Sequence, residues 1–176
     1  MEIKSVKKDR VTITDAYTFD DVAFGDKFER EPYIVRVNAP DAGVKDFFIA
    51  GCHIKPSEAD AELGHMVEVF NSIVAKWNLE DGIITGDFNA DCSYWSNKAR
   101  NANLFYNQTQ TFDWIIDADS TVATSACSYD RFVLTGANMK SHYADPRVVR
   151  FDTEFGLTQE LAEEVSDHYP IVVNVV

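Results

Sequence analysis

Six polar residues of this sequence lie directly after or before apolar segments, where strand ends place side chains in α/β folds. They are His53, Asp87, Asn89, Asp130, Asp167 and His168. Hydrolysis of a phosphodiester needs a hard cation held by oxygen ligands, a base that activates water, and donors for the phosphoryl oxygens. Carboxylate, amide and imidazole groups together can supply all of these, so the pattern is typical of a metal-dependent phosphodiesterase.

Each of these signals also has a structural explanation when it is taken alone. Asp87 and Asn89 after a strand form a pattern that is also common in turns stabilised by their own side chains. His53 could be a structural histidine, and Asp130 could form a local ion pair with Arg131. The joint occurrence of these residues, in this order, favours a catalytic site over the structural explanations.

The elements that would position these residues alternate along the chain. Apolar segments rich in Val, Ile and Phe predict strands at residues 11–14, 33–37, 46–52, 82–85, 131–136 and 171–176. Residues 112–116 could form a short helix or strand, and residues 158–165 a helical turn or loop. This order predicts a layered α/β or α+β fold, with residues 1–176 as a single domain.

The predicted helix spans residues 58–77. Its apolar residues recur at steps of three and four, which is the pattern of a helix packed on a sheet: Leu63, Val67, Phe70, Val74 and Trp77.

Composition limits the classes of partner. With 45% hydrophobic and 26% charged residues, the chain is typical of a globular protein. No apolar run approaches the roughly 20 residues of a membrane span, and the first residues lack the apolar segment of a secretory signal. We therefore expect no membrane partner. A net charge of -13 argues against a broad basic face for nucleic acid, so bound metal ions would have to offset repulsion from a polyanionic substrate.

The three cysteines, Cys52, Cys92 and Cys127, leave two arrangements open. One disulfide plus one buried thiol would indicate an oxidising compartment, whereas three reduced thiols would fit the cytosol. Composition does not choose between them.

Three motifs carry a resemblance to a known family. The runs ITGDFNADCSY at residues 84–94, CSYDR at 127–131 and SDHYP at 166–170 resemble deoxyribonuclease I and its secreted relatives, within the endonuclease/exonuclease/phosphatase superfamily. The likeness extends over about residues 11 to 176. It implies a layered β-sandwich flanked by helices, an endonuclease that cleaves DNA with Mg²⁺ or Mn²⁺, and a secreted or extracellular location.

The resemblance also implies a role for each residue of the site. His168 would activate water or contact the scissile phosphate, and Asp130 would fix its tautomer. His53 would act as an acid toward the leaving oxygen or as a phosphate donor. Asp167 would face the catalytic cation, and Asp87 and Asn89 would contact the metal, the phosphate or the attacking water. Two further residues would contact DNA: Arg30 and Tyr129.

Calcium sites and a disulfide follow from the same resemblance. Asp21, Asp26, the Phe28 carbonyl and Glu31 match one structural Ca²⁺ loop, and hard oxygen ligands suit this ion. Asp119, Thr121 and Ser125 resemble a second Ca²⁺ site, although Ala123 replaces a hydroxyl residue there. Cys92 and Cys127 would form the family disulfide and leave Cys52 as a thiol.

The resemblance covers the C-terminal two-thirds of the family domain. An early asparagine and two glutamates that the family uses for metal binding and histidine orientation have no counterpart, so we expect an N-terminally truncated fold. DNA cleavage should then be weakened, and part of an inner sheet face should be exposed.

Two alternative functions remain open at this point. The first is a non-catalytic protein that acts as a binding or self-associating module. The second is a phosphatase acting on lipid or sugar phosphates, which the residues around Cys92 and Cys127 disfavour.

Overall fold

A computed structural model describes residues 10–22 and 25–176 of the chain. Its strands are β1 (Thr12–Thr18), β2 (Tyr33–Asn38), β3 (Asp46–His53), β4 (Gly82–Asp87), β5 (Asp113–Trp114), β6 (Asp130–Thr135), β7 (Tyr143–Val148) and β8 (Ile171–Val175). Its helices are α1 (Ala59–Trp77), α2 (Asn97–Ala102), α3 (Leu104–Asn107), α4 (Ala137–Ser141), α5 (Phe151–Phe155) and α6 (Gln159–Val165). A 3-10 turn at Pro56–Glu58 precedes α1.

Six strands form one sheet in the order β1-β2-β3-β4-β6-β5, and β7 and β8 form a separate two-stranded sheet. Within the large sheet, β3 and β4 are parallel and the other neighbours are antiparallel. Since α1 connects β3 to β4, it provides the crossover that parallel neighbours require. The predicted layered α/β architecture, with a central sheet flanked by helices, is confirmed.

Helix α1 covers one face of the large sheet. Leu63, Met66 and Ile73 are fully buried, and Phe70 is nearly so. The buried stripe therefore includes Met66 and Ile73, whereas Val67, Val74 and Trp77, which the sequence placed on it, are only partly buried. Asn78 ends the helix in the left-handed conformation. Its N–H donates a hydrogen bond to the Val74 carbonyl, which would otherwise lack a partner in the last turn.

The small sheet packs on the opposite face of the large one. Val35, Val37, Phe47 and Ile83 form the buried part of this second core, with Val173 and other residues of the small sheet against it. Two strands do not cover a six-stranded sheet. An apolar groove of about 440 Å³ remains, lined by Phe47, Ile49, Ile83, Thr85, Phe132, Ile171, Val172, Val173 and Val175.

Within the described residues, no helix is both long enough and apolar enough to cross a membrane.

Candidate active site

The registers of three strands bring candidate side chains to one end of the large sheet. His53, the last residue of β3, pairs with Asp87, the last residue of β4. Asp87 in turn pairs with Asp130, the first residue of β6, because these strands are antiparallel. Carboxylates and an imidazole from three neighbouring strands therefore lie side by side.

A cavity of about 320 Å³ opens at this end of the sheet. Five of the candidate residues line it: His53, Asp87, Asp130, Asp167 and His168. Asp167 and His168 reach it from the turn before β8, which is tied to the rest of the fold by a bridge between Thr121 and His168. The structure thus brings together residues that lie more than a hundred positions apart in the chain.

His168 is held by Asp130. The Nδ1 atom of His168 lies 2.6 Å from the Asp130 Oδ2 atom, and both side chains are half-buried. This hydrogen bond is the main reason that the pKa of His168 rises to about 9, and the charges of Asp130, Asp87 and Asp167 raise it further. With Nδ1 engaged by the carboxylate, Nε2 is the ring nitrogen that can exchange a proton with water or substrate.

Asp87 lies between the two histidines. Its Oδ2 atom is 3.4 Å from Nε2 of His53, and its Oδ1 atom accepts a hydrogen bond of 3.0 Å from the Asn89 N–H. Burial raises the pKa of Asp87 above its usual range, and the Asp130 charge adds to this against the opposing effect of the Asn89 N–H. A divalent cation near Asp87 would favour the charged carboxylate.

The close approach of β3 and β4 depends on Gly86, a residue that the sequence analysis did not single out. Its φ is +143°, and a Cβ atom placed there would lie 1.8 Å from the Cys52 carbonyl oxygen. A side chain at this position would push apart the strand ends that carry His53 and Asp87.

Asn89 stands apart from the other candidates. Its side chain is buried, and its Nδ2 atom donates a hydrogen bond of 2.9 Å to the Ile54 carbonyl. Asn89 does not line the cavity. Its amide therefore holds the segment after His53 in place.

Arg30 and Tyr129 lie beside the cavity. Arg30 is exposed, and its Nη1 atom donates a hydrogen bond of 3.4 Å to the His53 carbonyl. The ring of Tyr129 lies 6.1 Å from that of His168 and 5.5 Å from that of Tyr94. Both positions are compatible with contacts to a substrate that extends beyond the cavity.

An acidic cluster joins three residues of the first predicted calcium site. Carboxylate oxygens of Asp21, Asp26 and Glu31 lie within 4.8 Å of one another. Asp21 is fully buried, and its Oδ2 atom accepts hydrogen bonds from the N–H groups of Lys27 and Phe28. Within residues 10–22 and 25–176, its buried Oδ1 atom has no hydrogen-bond partner. An orphaned carboxylate oxygen among like charges fits a hard cation such as Ca²⁺.

In the second predicted calcium site, one carboxylate oxygen of Asp119 is engaged by other groups of the protein. Oδ1 of Asp119 accepts hydrogen bonds from the Thr121 N–H, the Thr121 hydroxyl and the Cys127 N–H. The Thr121 Oγ1 atom also lies 2.7 Å from the Ser125 carbonyl oxygen. These contacts form a turn closed around Asp119 Oδ1 and the Thr121 hydroxyl.

The predicted disulfide between Cys92 and Cys127 is confirmed, with a Cα–Cα distance of 5.9 Å. It connects the loop after Asp87 to the segment before Asp130. Closing a loop across 35 residues stabilises a fold by about 3 to 4 kcal/mol on the chain-entropy estimate. Cys52 is free and buried, and burial raises the pKa of its thiol strongly.

Known proteins match this chain along nearly its whole length, although no family model does. Deoxyribonuclease-1 of Ovis aries is 37% identical over 174 residues, covering 95% of this chain and 66% of the relative. Deoxyribonuclease-1 of Mus musculus is 38% identical over 174 residues, covering 95% and 61%. The chain thus spans less than two thirds of the length of these curated relatives.

A solved structure supports the fold independently of sequence. Humanized TDP2 of D. rerio superposes with a TM-score of 0.61 at 15% identity, covering 94% of this chain and 68% of that one. At that identity the match concerns the fold alone. The sequence matches, which cover 95% of the chain, show that the chain belongs to the deoxyribonuclease I family.

Proposed function

We propose that this chain hydrolyses phosphodiester bonds of DNA in a reaction that depends on Mg²⁺ or Mn²⁺. The observation that carries the proposal is the His168–Asp130 pair, which lies in one cavity with Asp87, Asp167 and His53. An oriented imidazole beside carboxylates is the arrangement that general-base attack of water on a phosphate requires.

Each residue has one role in this proposal. His168 takes a proton from the attacking water through Nε2, while Asp130 holds the ring and stabilises its protonated form. His53 gives a proton to the leaving oxygen. Asp167 and Asp87 hold the catalytic cation, which when bound would neutralise charge that develops on the phosphate.

Three further residues act around the cavity. Arg30 and Tyr129 contact the DNA strand on either side of the scissile phosphate. Asn89 contributes by holding the His53 segment through Ile54.

The reaction should be slow. Of the carboxylates that line the cavity, Asp130 is engaged with His168, which leaves Asp87 and Asp167 for the cation. Two carboxylates bind a divalent cation weakly, and metal sites that lack supporting ligands commonly lose 10- to 100-fold or more in affinity or activity, as an order of magnitude.

We also propose a Ca²⁺ site at Asp21, Asp26, the Phe28 carbonyl and Glu31, and an extracellular location. The orphaned Asp21 oxygen supports the first proposal. The Cys92–Cys127 disulfide supports the second, since disulfides persist in oxidising compartments.

The direct test of the proposed substrate compares two phosphate esters. Purified protein is incubated with supercoiled plasmid and, in parallel, with a sugar phosphomonoester, each with Mg²⁺ and with EDTA. We expect nicking of the plasmid in Mg²⁺ alone and no release of phosphate from the monoester. Phosphate release without nicking would contradict the proposal and favour a phosphatase.

The apolar groove supports a second candidate, self-association. Contiguous exposed apolar surface on a protein commonly marks an interaction site. Sedimentation velocity across a hundredfold range of concentration tests this, with Phe132→Glu as the variant that should abolish dimer formation. A monomer at every concentration would eliminate the candidate.

A further inference from the structure

Glu62 is a buried carboxylate outside the candidate cavity. It lies in the first turn of α1, and only 2% of it is exposed. Both of its oxygens accept backbone hydrogen bonds from other segments: Oε1 from the Glu29 N–H at 3.0 Å and Oε2 from the Lys55 N–H at 2.9 Å. A buried carboxylate is stable only when its oxygens accept hydrogen bonds. The two donors show which segments of the chain Glu62 holds in place.

The two N–H groups belong to the segments that carry Arg30 and His53. Glu29 directly precedes Arg30, and Lys55 follows His53 by two residues. These segments also contact each other. Arg30 donates to the His53 carbonyl, and Lys55 Nζ lies 2.9 Å from the Glu29 carboxylate. One side chain of α1 therefore holds both segments at once.

The connection continues to the strand end of β4 through a single peptide group. The Lys55 N–H that donates to Glu62 shares its peptide plane with the Ile54 carbonyl, which accepts the hydrogen bond from Asn89. The Ile54 N–H donates in turn to the Asp87 carbonyl at 2.9 Å. Because a trans peptide is planar and rigid, these hydrogen bonds connect the position of Glu62 to the spacing between the His53 and Asp87 segments.

We propose that Glu62 is a positioning residue of the phosphodiesterase site. Its two hydrogen bonds keep Arg30 and His53 at the separation at which both can act on one phosphate. This inference rests on the proposed function. Glu62 touches neither substrate nor metal and works only through the two segments.

A purely structural role would have a different signature. If Glu62 served only the stability of the fold, its loss would lower the unfolding temperature and leave kinetics below that temperature unchanged. The test therefore needs a control variant that is destabilised to a similar degree but lies far from the site. Thr135→Val is suitable, because the buried Thr135 hydroxyl donates to the Glu80 carbonyl at the end of β6 opposite to Asp130.

The test variant is Glu62→Gln, which keeps the length and volume of the side chain. Its NH₂ group cannot accept a hydrogen bond, so one of the two N–H groups loses its partner. Both variants are assayed for plasmid nicking in Mg²⁺ well below their unfolding temperatures. We expect Glu62→Gln to lower kcat/KM about tenfold, as the loss of one hydrogen bond to a charged group implies, and Thr135→Val to leave it unchanged.

A second pair of measurements shows whether the effect passes through Arg30. In an Arg30→Ala background, Glu62→Gln should lower kcat/KM by a smaller factor than in the wild type, since residues that act through one another are not additive. Amide ¹H–¹⁵N spectra should show shifts at Arg30 and His53 in Glu62→Gln and none there in Thr135→Val.

The results separate this inference from the proposed function. If Glu62→Gln nicks DNA at the same rate as Thr135→Val, whether at the wild-type rate or below it, the positioning role is wrong. If the wild type itself does not cleave DNA, the proposed function fails, and the spectra then test whether Glu62 holds the two segments: shifts at both Arg30 and His53 support this, and unchanged resonances overturn it.

Discussion

Asp130 determines the chemical state of the histidine at the centre of the candidate site. Its carboxylate lies 2.6 Å from His168 and favours the protonated ring, so the free protein holds a proton there at neutral pH. A general base must be neutral to act, and a cation bound at Asp167 and Asp87 would favour that neutral form by repulsion.

The raised pKa of His168 makes stability depend on pH. The folded protein binds this proton with a pKa of about 9, whereas an unfolded histidine has its ordinary value of about 6.5. The stabilisation is thus complete below about pH 6.5 and is lost as pH rises through 9, a change of roughly 3 kcal/mol. Urea unfolding in metal-free buffer from pH 6 to 9.5 measures it.

Asp130→Asn is the control for that experiment, because it removes the charge that holds the proton. The free energy of unfolding of this variant should fall less steeply over the same range. Parallel curves for the variant and the wild type would show that the pair does not stabilise the protonated ring.

A substitution at Gly86 tests how closely β3 and β4 approach each other at the candidate site. Gly86→Ala places a Cβ atom 1.8 Å from the Cys52 carbonyl and should cost more than about 3 kcal/mol in free energy of unfolding. Gly156→Ala is the matched control: its φ is also positive, but no atom lies within 4 Å of the added Cβ. It should cost about 1 kcal/mol, the strain of the left-handed conformation alone. Equal losses in chemical denaturation would show that β3 and β4 do not approach so closely.

At the scale of elements, the sequence predicted those strands and helices that have a clear hydrophobic pattern over neighbouring residues. β4 follows from the short segment at residues 82–85, which was predicted as a buried strand, and Asp87 and Asn89 come shortly after it. β7 was missed because its sequence, with Asp145 and Pro146 in the middle, does not alternate and reads as a turn. Helices α2 to α5 have four to six residues, too few for a helical period to show.

The sequence predicted those residues of the candidate site that lie at or near the ends of strands. The resemblance named every carboxylate and imidazole side chain that lines the cavity. The roles of Asn89 and Glu62 in holding Ile54 and Lys55 were not predictable, because those contacts join segments that only the tertiary fold brings together.

The loop between β1 and β2 carries the acidic cluster and should respond to Ca²⁺. At Ca²⁺ about 100 times above its Kd, we expect the unfolding temperature to rise by about 5 °C or more, because binding favours the folded state. Glu31→Gln together with Asp26→Asn should remove the rise, which differential scanning calorimetry measures. Glu160→Gln, an exposed change on α6, is the control for charge alone. A rise that persists in the double variant would place the ion elsewhere.

At the scale of the whole molecule, the negative net charge opposes the approach of a polyanion. A charge of -13 repels polyanions at long range, so the proposed DNA binding would have to draw its affinity from bound cations and from local contacts such as the one proposed for Arg30. The groove between the two sheets, with its apolar lining, lies next to the cavity and shares Thr85 and Ile171 with it. Whatever covers the groove would therefore also border the candidate site.

The most direct test of the proposed phosphodiesterase site is a time course of plasmid nicking by the wild type and His168→Ala, purified identically. We expect slow nicking by the wild type that requires Mg²⁺ or Mn²⁺ and stops with EDTA. Nicking should be lost in His168→Ala, because no other imidazole pairs with Asp130 in the described part of the chain. Nicking by His168→Ala at the wild-type rate would contradict it.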